Sequence, residues 1–585
     1  VIVPMSRVTV LALERDREAS LERLRGLGVL HLEPARRGES EDVEAARKEL
    51  EYVRHALEVL PPRPAGAPGG GDPMRTVREV WRILHRRKEL GDERDALRLE
   101  RERILPYGRF DPAAVRELEA KGVFIRLYRA GAADVVRSPA EAVRVDIHRT
   151  SSAVYFALVR RGEPPVCEGA QEVRMPERSL DDIERRLAQI EAETAGLAGE
   201  LERCAADRPA IEALAEEAED RRRLAEARAG MDALEQNIVF LTGFCPREAV
   251  DRLRAAAREA GWGLVISEPR PGDRVPTLLR LPPWARPIEP LMRFIGILPG
   301  YDEVDISGMF LLFFSLFFAM LVGDAGYGLV FLGALAAARW RGVRVPPALG
   351  RLLAMVSGTT VAWGAATGTW FGVQAANWPR WEWLADGENV KRLCFVVALV
   401  HLSLAHLWNI VRLGRSTQSL AQLGWLGVTW TMFFFANAMV LGAPFPRAML
   451  PVFAASVALV VVFMTPLRQL KAEWFNHVML PLNIVGNFVD VVSYIRLYAV
   501  GTASFAVADN LNTMLAPMLG SWRTALVGAA FLLLAHALNI ALALMGVMVH
   551  GVRLNTLEFS GHIGLQWTGF PYRPFRRVRD ERAQA

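Results

Sequence analysis

The chain has 585 residues, 51% of them hydrophobic and 9% aromatic, which excludes a disordered or collagen-like polymer and leaves room for more than one domain. Charged residues make up 23% and the net charge is +5, yet the basic excess sits largely beside long apolar runs, where the tendency of basic loops to stay inside explains it better than nucleic acid does. The four cysteines, Cys167, Cys204, Cys245 and Cys394, fall singly with no CxxC pair, so reduced buried thiols are expected rather than a metal site or a disulfide framework.

Residues 5–33 read as a strand (MSRVTVLAL), a helix and a short strand, with the apolar period switching from two to between three and four. The opening lacks a basic region leading into an apolar core, so no secretory signal is expected and the first half is expected in the cytoplasm. A charged helix is predicted over about 40–60 and resumes at Met74 to about Leu105, after the Pro/Gly-rich PPRPAGAPGGGDP. VFIRLYRA and AVYFALVRRG mark a second α/β patch, and from SLDDIERRLAQIEAE a charged helix continues towards Met231. Leu180, Ile183, Leu187 and Ile190 recur at coiled-coil spacing, which predicts an antiparallel rod between two small α/β lobes; an ordinary helical bundle is the alternative. NIVFLTGFCPREAVDRLRAAAREAGWGLVISEP reads again as strand, helix, strand. No GxxxxGK[ST] phosphate loop occurs, so nucleotide hydrolysis by this chain is not expected.

Composition changes near residue 290, dividing a cytoplasmic part, 1–290, from a membrane part, 291–585. Runs such as ISGMFLLFFSLFFAMLVG and TALVGAAFLLLAHALNIALALMGVMV are each long enough to cross a ~30 Å hydrocarbon layer as a helix. The run from Ile306 to Ala338 is too long for one helix, and splitting it at Gly323, Asp324, Gly326 and Gly328 predicts a tight hairpin. Further spans at about 350–372, 392–411, 421–442, 448–466, 478–515 and 522–558 bring the total to eight helices. The hairpin puts Arg339, Arg341, Arg344, Arg351, Arg412, Arg415, Arg468, Lys471 and a short tail with Arg573, Arg576 and Arg577 on the cytoplasmic side, and both termini with them. The predicted fold is thus an α-helical polytopic membrane protein with an N-terminal dumbbell of two α/β lobes joined by an antiparallel coiled coil.

Arg496 lies inside an apolar run and Arg553 lies towards the inner end of the last helix; an arginine there is costly and stays charged. Val500, Ala503, Ser504 and Val507 share the Arg496 face, a surface of mostly small side chains that something can approach closely. The alternatives are a structural ion pair of Arg496 with Asp490, Asp324 or Glu558, and for Arg553 snorkelling to lipid headgroups. Further polar groups along the spans are His406, Glu473, His477, Asp490 and Glu558 towards the cytoplasm, Asp509, His536 and Asn539 towards the outside, and His550 near Arg553; each also has a reading as a solvated, capped or core polar residue.

FFSLFFAMLVGDAGYG, SYIRLYAVG, HGVRLNTLEF followed by GFPYRPF and, more weakly, VLHLEP, LPYGRFDP and FLTGFCP resemble the membrane stator subunit of rotary V/A-type ATPases and ATP synthases, called subunit I or subunit a. The resemblance covers essentially the whole chain. It implies a subunit without catalysis or cofactor of its own, facing a proteolipid c-ring, bound to peripheral stalk subunits, in one complex with central-stalk and nucleotide-binding subunits, and embedded in the lipid of the cell's inner membrane as a multi-pass protein. It implies that Arg496 faces the ring carboxylate with Arg553 as partner, between two proton half-channels. Many members have a histidine where this chain has Ser504, and eukaryotic members a glutamate where it has Ala543, so the outer path must use other groups here. The rival reading is a secondary transporter holding an anionic substrate with Arg496 and Arg553.

Overall fold

A computed structural model describes residues 1–33, 40–62, 71–235, 237–374, 380–465, 471, 473–520 and 522–580. Most of the Pro/Gly-rich segment and Arg468 fall outside the described residues. In chain order the elements are β1 (Met5–Leu13), α1 (Arg17–Leu27), β2 (His31–Leu32), α2 (Glu41–Val59), α3 (Pro73–Ile104), α4 (Pro112–Ala120), β3 (Val123–Gly131), β4 (Val143–Arg149), β5 (Ala153–Arg161) and β6 (Gln171–Val173). Then follow α5 (Leu180–Cys204), α6 (Arg208–Ala229), β7 (Asp232–Glu235), β8 (Ile238–Pro246), α7 (Val250–Ala260), β9 (Gly263–Ser267) and α8 (Glu289–Ile295). The apolar half contains α9 (Ser307–Val322), α10 (Ala325–Trp340), α11 (Pro347–Thr367), β10 (Thr369–Trp370), β11 (Val373–Gln374), α12 (Glu382–Ala385), α13 (Gly387–Leu413), α14 (Gln418–Leu441) and α15 (Met449–Phe463). It continues with α16 (Trp474–Val478), α17 (Leu480–Ser493), α18 (Ile495–Leu519), α19 (Ala525–Gly546), π-helical turns over Val547–Gly551 and Leu554–Phe559, and α20 (Ser560–Ile563). β2, β8, β1 and β9 are neighbours in that order in one sheet, with β7 on β8.

The chain divides into two compact units, one of residues 1–9, 243–256 and 264–574, the other of residues 10–242, 257–263 and 575–585. In the second unit α2 packs along α6 and α3 along α5. The ion pairs fix the direction. Rising along α3, Arg82, Arg86 and Glu93 meet Glu200, Glu193 and Arg186 (2.5, 2.7 and 2.7 Å), so partner numbers fall and the helices run antiparallel. These exposed pairs set register; the stabilising part is the apolar seam of Val80, Ile83, Leu90, Leu97, Ile183, Leu187, Ile190 and Leu197. Burial raises the Glu219 carboxyl, but Arg222 and Arg223 outweigh it and hold the group below the usual range. The single helix expected from Ser179 to Met231 is two, because Pro209 has no N–H to continue α5 and instead sits in the first turn of α6. Strands β4, β5, β3 and β6 form an antiparallel sheet in that order, with β3 and β5 at the two apolar runs read from the sequence. In this unit Phe575 N–H donates to Leu30 C=O (2.7 Å) and Val578 N–H to Asp220 (2.9 Å). Cys167, Cys245 and Cys394 are buried and Cys204 half-buried, all as free thiols, and burial pushes the Cys245 thiol up to about 12.

In the other unit α9 is the central helix, apolar all round and buried through Phe310, Phe314, Phe317 and Leu321. Among the described residues four helices are long and apolar enough to cross a membrane: Gly387–Leu413, Gln418–Leu441, Leu480–Leu519 and Ala525–Ile563, the third stepping at Tyr494. α9 and α10 add a pair bent by 118°, a fifth crossing if they make one broken span. α15, with 15 residues, reaches only ~22 Å as a helix, and α11 is diluted by Gly, Ser and Thr. The break between α9 and α10 is local chemistry. Gly323 ends α9 in the left-handed region (φ 70°), and Asp324 starts α10 by accepting the Tyr327 N–H at 3.1 Å. Gly326 and Gly328, expected in the turn, instead lie in the first turn of α10, where a Cβ would meet the Phe371 ring and the α11 backbone.

Candidate functional site

Arg496 stands in the first turn of α18, a quarter exposed, and donates from Nη2 to Ser493 Oγ (2.5 Å) and to Glu558 Oε1 (3.1 Å). Glu558 is buried, and the same oxygen lies 3.5 Å from Arg553 Nε. In an α-helix residues five apart point about 140° away from each other. The i→i+5 bonding over Leu554–Phe559 widens the turn and brings Arg553 and Glu558 to one side. Two cations thus share one carboxylate, a formal two positive charges against one negative.

Polar groups gather on both sides of this cluster along α17 and α18. Six residues before Arg496, Asp490 accepts from His562 Nε2 (3.2 Å); His562 Nδ1 faces His406 Nε2 (2.9 Å), and His406 Nδ1 faces Gln422 Oε1 (2.9 Å). His406, Asn487, Asp490 and His562 line a cavity of about 660 Å³. In the other direction, the His536 ring lies between Asn512 (3.1 Å) and the Tyr327 hydroxyl (2.8 Å), which also accepts from Asn539 Nδ2 (2.9 Å). Asn512 is 16 residues beyond Arg496, about 24 Å along the helix.

Over 98% of its length the chain is 33% identical to the whole of V-type ATP synthase subunit I 1 of Treponema pallidum. It belongs to the V-type ATP synthase subunit I family. The V-type ATP synthase subunit I of Borreliella burgdorferi is 29% identical over 99% of this chain and all of its own, and the A-type ATP synthase subunit I of Pyrococcus abyssi 25% identical over 58% and 54%. No family model matches. A solved cytoplasmic N-terminal domain of subunit I of V-ATPase covers 45% of this chain and 99% of its own at 16% identity, with a TM-score of 0.20 that carries no argument about the fold. The chain is therefore a stator subunit of a rotary ATPase, a membrane protein that works within a multi-subunit complex, and the transporter reading falls away.

For this subunit I, the structure brings together Arg496, Arg553 and Glu558, then His406 and Asp490, then His536 and Asn539. It does not gather the others. Glu473 precedes α16 and accepts from Asn476 on it, His477 bonds the Val461 carbonyl, and Asp509 is exposed on α18. His550 lies in the first π-helical turn with Nδ1 buried and unpartnered among the described residues. The ion-pair alternative for Arg496 is realised with Glu558, not with Asp490 or Asp324; Asp324 instead accepts the backbone N–H groups of Tyr327, Phe371 and Gly372. Sequence reading missed Tyr327, Asn512 and His562. His562 follows Glu558 by four residues, one turn on, and that spacing was its available signal.

Proposed function

We propose that the Arg496–Glu558–Arg553 cluster is the stator side of a proton-translocating interface with a proteolipid c-ring. The carrying observation is its charge: two fixed cations against one carboxylate leave one positive charge for an incoming anion. A ring carboxyl in lipid stays protonated because its anion is expensive to desolvate; beside Arg496 the anion is favoured, and the proton leaves. Arginine is the required residue because guanidinium does not itself give up a proton. The cavity beside His406, Asp490 and His562 serves as the cytoplasmic half-channel, and the His536 and Asn539 cluster as the outer one. The arginine between them prevents direct leakage, so a proton passes only by riding the ring. Each proton crossing 100 mV carries ~2.3 kcal/mol, so several are needed per nucleotide.

The last two long helices suit the ring contact. Only 33% and 17% of the most apolar stretches of Leu480–Leu519 and Ala525–Ile563 are buried, against 56% for Gly387–Leu413, and Leu533, Leu534 and Met545 point outwards. Residues 1–290 form the cytoplasmic part, a dumbbell whose lobes hold the peripheral stalks against ring torque. Residues 291–585 form the membrane part, with eight helices crossing the inner membrane and both termini in the cytoplasm. Purification from the native membrane should bring down a proteolipid ring, stalk subunits and nucleotide-binding subunits by mass spectrometry; recovery of a single polypeptide overturns the reading.

The topology has its own test. The α9–α10 break makes 339–350 cytoplasmic, so a cysteine at the exposed Val343 should resist an impermeant thiol reagent added outside and react when the inner face is opened. Labelling from outside alone would remove the hairpin and change the number of crossings.

A further inference from the structure

Beyond Arg496 along α18, the polar groups around Tyr327 form an ordered chain of hydrogen bonds. Its two ends are fixed by groups that can only accept. Asn512 Nδ2 lies 2.7 Å from the Phe371 carbonyl, so that atom is the amide nitrogen and Oδ1 is left facing His536 Nε2 at 3.1 Å. Asn539 Nδ2 lies 3.0 Å from the Ser504 carbonyl, which likewise fixes it as nitrogen, and it donates its second hydrogen to the Tyr327 oxygen at 2.9 Å. A neutral His536 must then carry its hydrogen on Nε2 and accept on Nδ1 from the Tyr327 hydroxyl at 2.8 Å. Every hydrogen bond from Asn539 to Asn512 has one direction.

The network also runs from surface to interior. Asn512 and His536 are partly exposed, whereas Tyr327 and Asn539 are each only 1% exposed. Beyond them the Ser504 hydroxyl is buried without a hydrogen-bonding partner among the described residues, and it lies on the Arg496 face, eight residues or about 12 Å away along α18. Asp324 holds the outer end in place. Its two oxygens accept from Phe371 N–H (2.9 Å) and Gly372 N–H (2.7 Å), fixing Phe371 at φ 49°, a left-handed conformation unusual for a bulky residue, with its carbonyl on Asn512.

We infer that Tyr327 and His536 form the proton relay of the outer half-channel, with Asn512 and Asp324 as positioning residues that fix the histidine tautomer. The inference rests on the half-channel reading above. A proton arriving from the Ser504 side adds to the Tyr327 oxygen as the tyrosine's own proton passes to His536 Nδ1. The imidazolium gives its Nε2 proton to water at the exposed edge, and the neutral ring turns over before the next transfer. Inward flow runs the same steps in reverse; one proton enters and one leaves in each pass.

The test uses the complete complex in lipid vesicles, reading ATP synthesis driven by an imposed proton gradient. Tyr327→Phe keeps the ring and removes only the hydroxyl, and should lower the rate at least about tenfold with subunit composition unchanged. His536→Ala should lose a similar factor, and added imidazole should restore part of it, a rescue that a purely structural histidine would not give. Either variant keeping more than half of the wild-type rate overturns the relay, as does a His536→Ala complex that imidazole does not rescue. Arg496→Ala in the same vesicles separates the two levels. If it is inactive while Tyr327→Phe works, the relay fails and the stator reading stands; if Arg496→Ala itself works, the stator reading fails.

Discussion

Arg496→Ala is expected to abolish proton-coupled turnover while the complex stays assembled. The substitution leaves Glu558 against the half-exposed Arg553 alone, so the cluster falls from one net positive charge to none. A ring carboxyl arriving there finds nothing to favour its anion, and the barrier between the half-channels loses its fixed charge. Arg496→Lys should also fail largely, because an ammonium, unlike a guanidinium, can lose its proton in apolar surroundings. Proton pumping and proton-driven synthesis in reconstituted vesicles measure both variants. Wild-type pumping by an assembled Arg496→Ala complex would falsify the assignment of the stator charge.

Glu558→Gln is the second large effect, and its sign differs. The amide keeps the shape but removes the carboxylate that the two guanidinium groups share, leaving two positive charges against none. Breaking one partner out of a buried ion pair costs roughly 3–5 kcal/mol, so the complex should dissociate at lower temperature than the wild type. A ring carboxylate should also be held too tightly, and turnover should fall at least about tenfold. Adding Arg553→Gln returns the cluster to a single net charge and should recover part of the rate, a coupling that a double-mutant cycle reads directly. Strictly additive losses in the double variant would mean that Glu558 acts through something other than charge balance.

Much of the molecule follows from patterns within a few residues of each other. The strand MSRVTVLAL, the seam of Leu180, Ile183, Leu187 and Ile190, and the break at Gly323 and Asp324 are set by local period, hydropathy and turn chemistry, and the structure has β1, the apolar face of α5 and the α9–α10 break at those places. Arg496 and Arg553 could be singled out because a permanent charge in an apolar run is costly wherever the chain goes next. Strand β4 does alternate, Val143, Val145 and Ile147 against Arg144, Asp146 and His148, and the sequence reading passed over it; β6, with three residues, is too short to show a period.

Which polar groups meet was decided by packing between distant elements. Glu558 reaches Arg496 across 62 residues, His562 reaches Asp490 across 72, and Tyr327 reaches His536 across 209. Hydropathy marks such residues as unusual in a membrane helix but carries no information about their partners. Helical arithmetic even misleads at Arg553 and Glu558, because a period of 3.6 separates them and only the π-helical turns bring them together. The sequence by itself determined most of the elements, the family and the fixed charges, because these depend on the chemistry of single residues and short runs. The tertiary structure alone decided the shared carboxylate, the His406–His562–Asp490 contacts beside their cavity and the direction of the Tyr327 hydrogen bonds, because each depends on where separate helices place a few atoms to within about 3 Å.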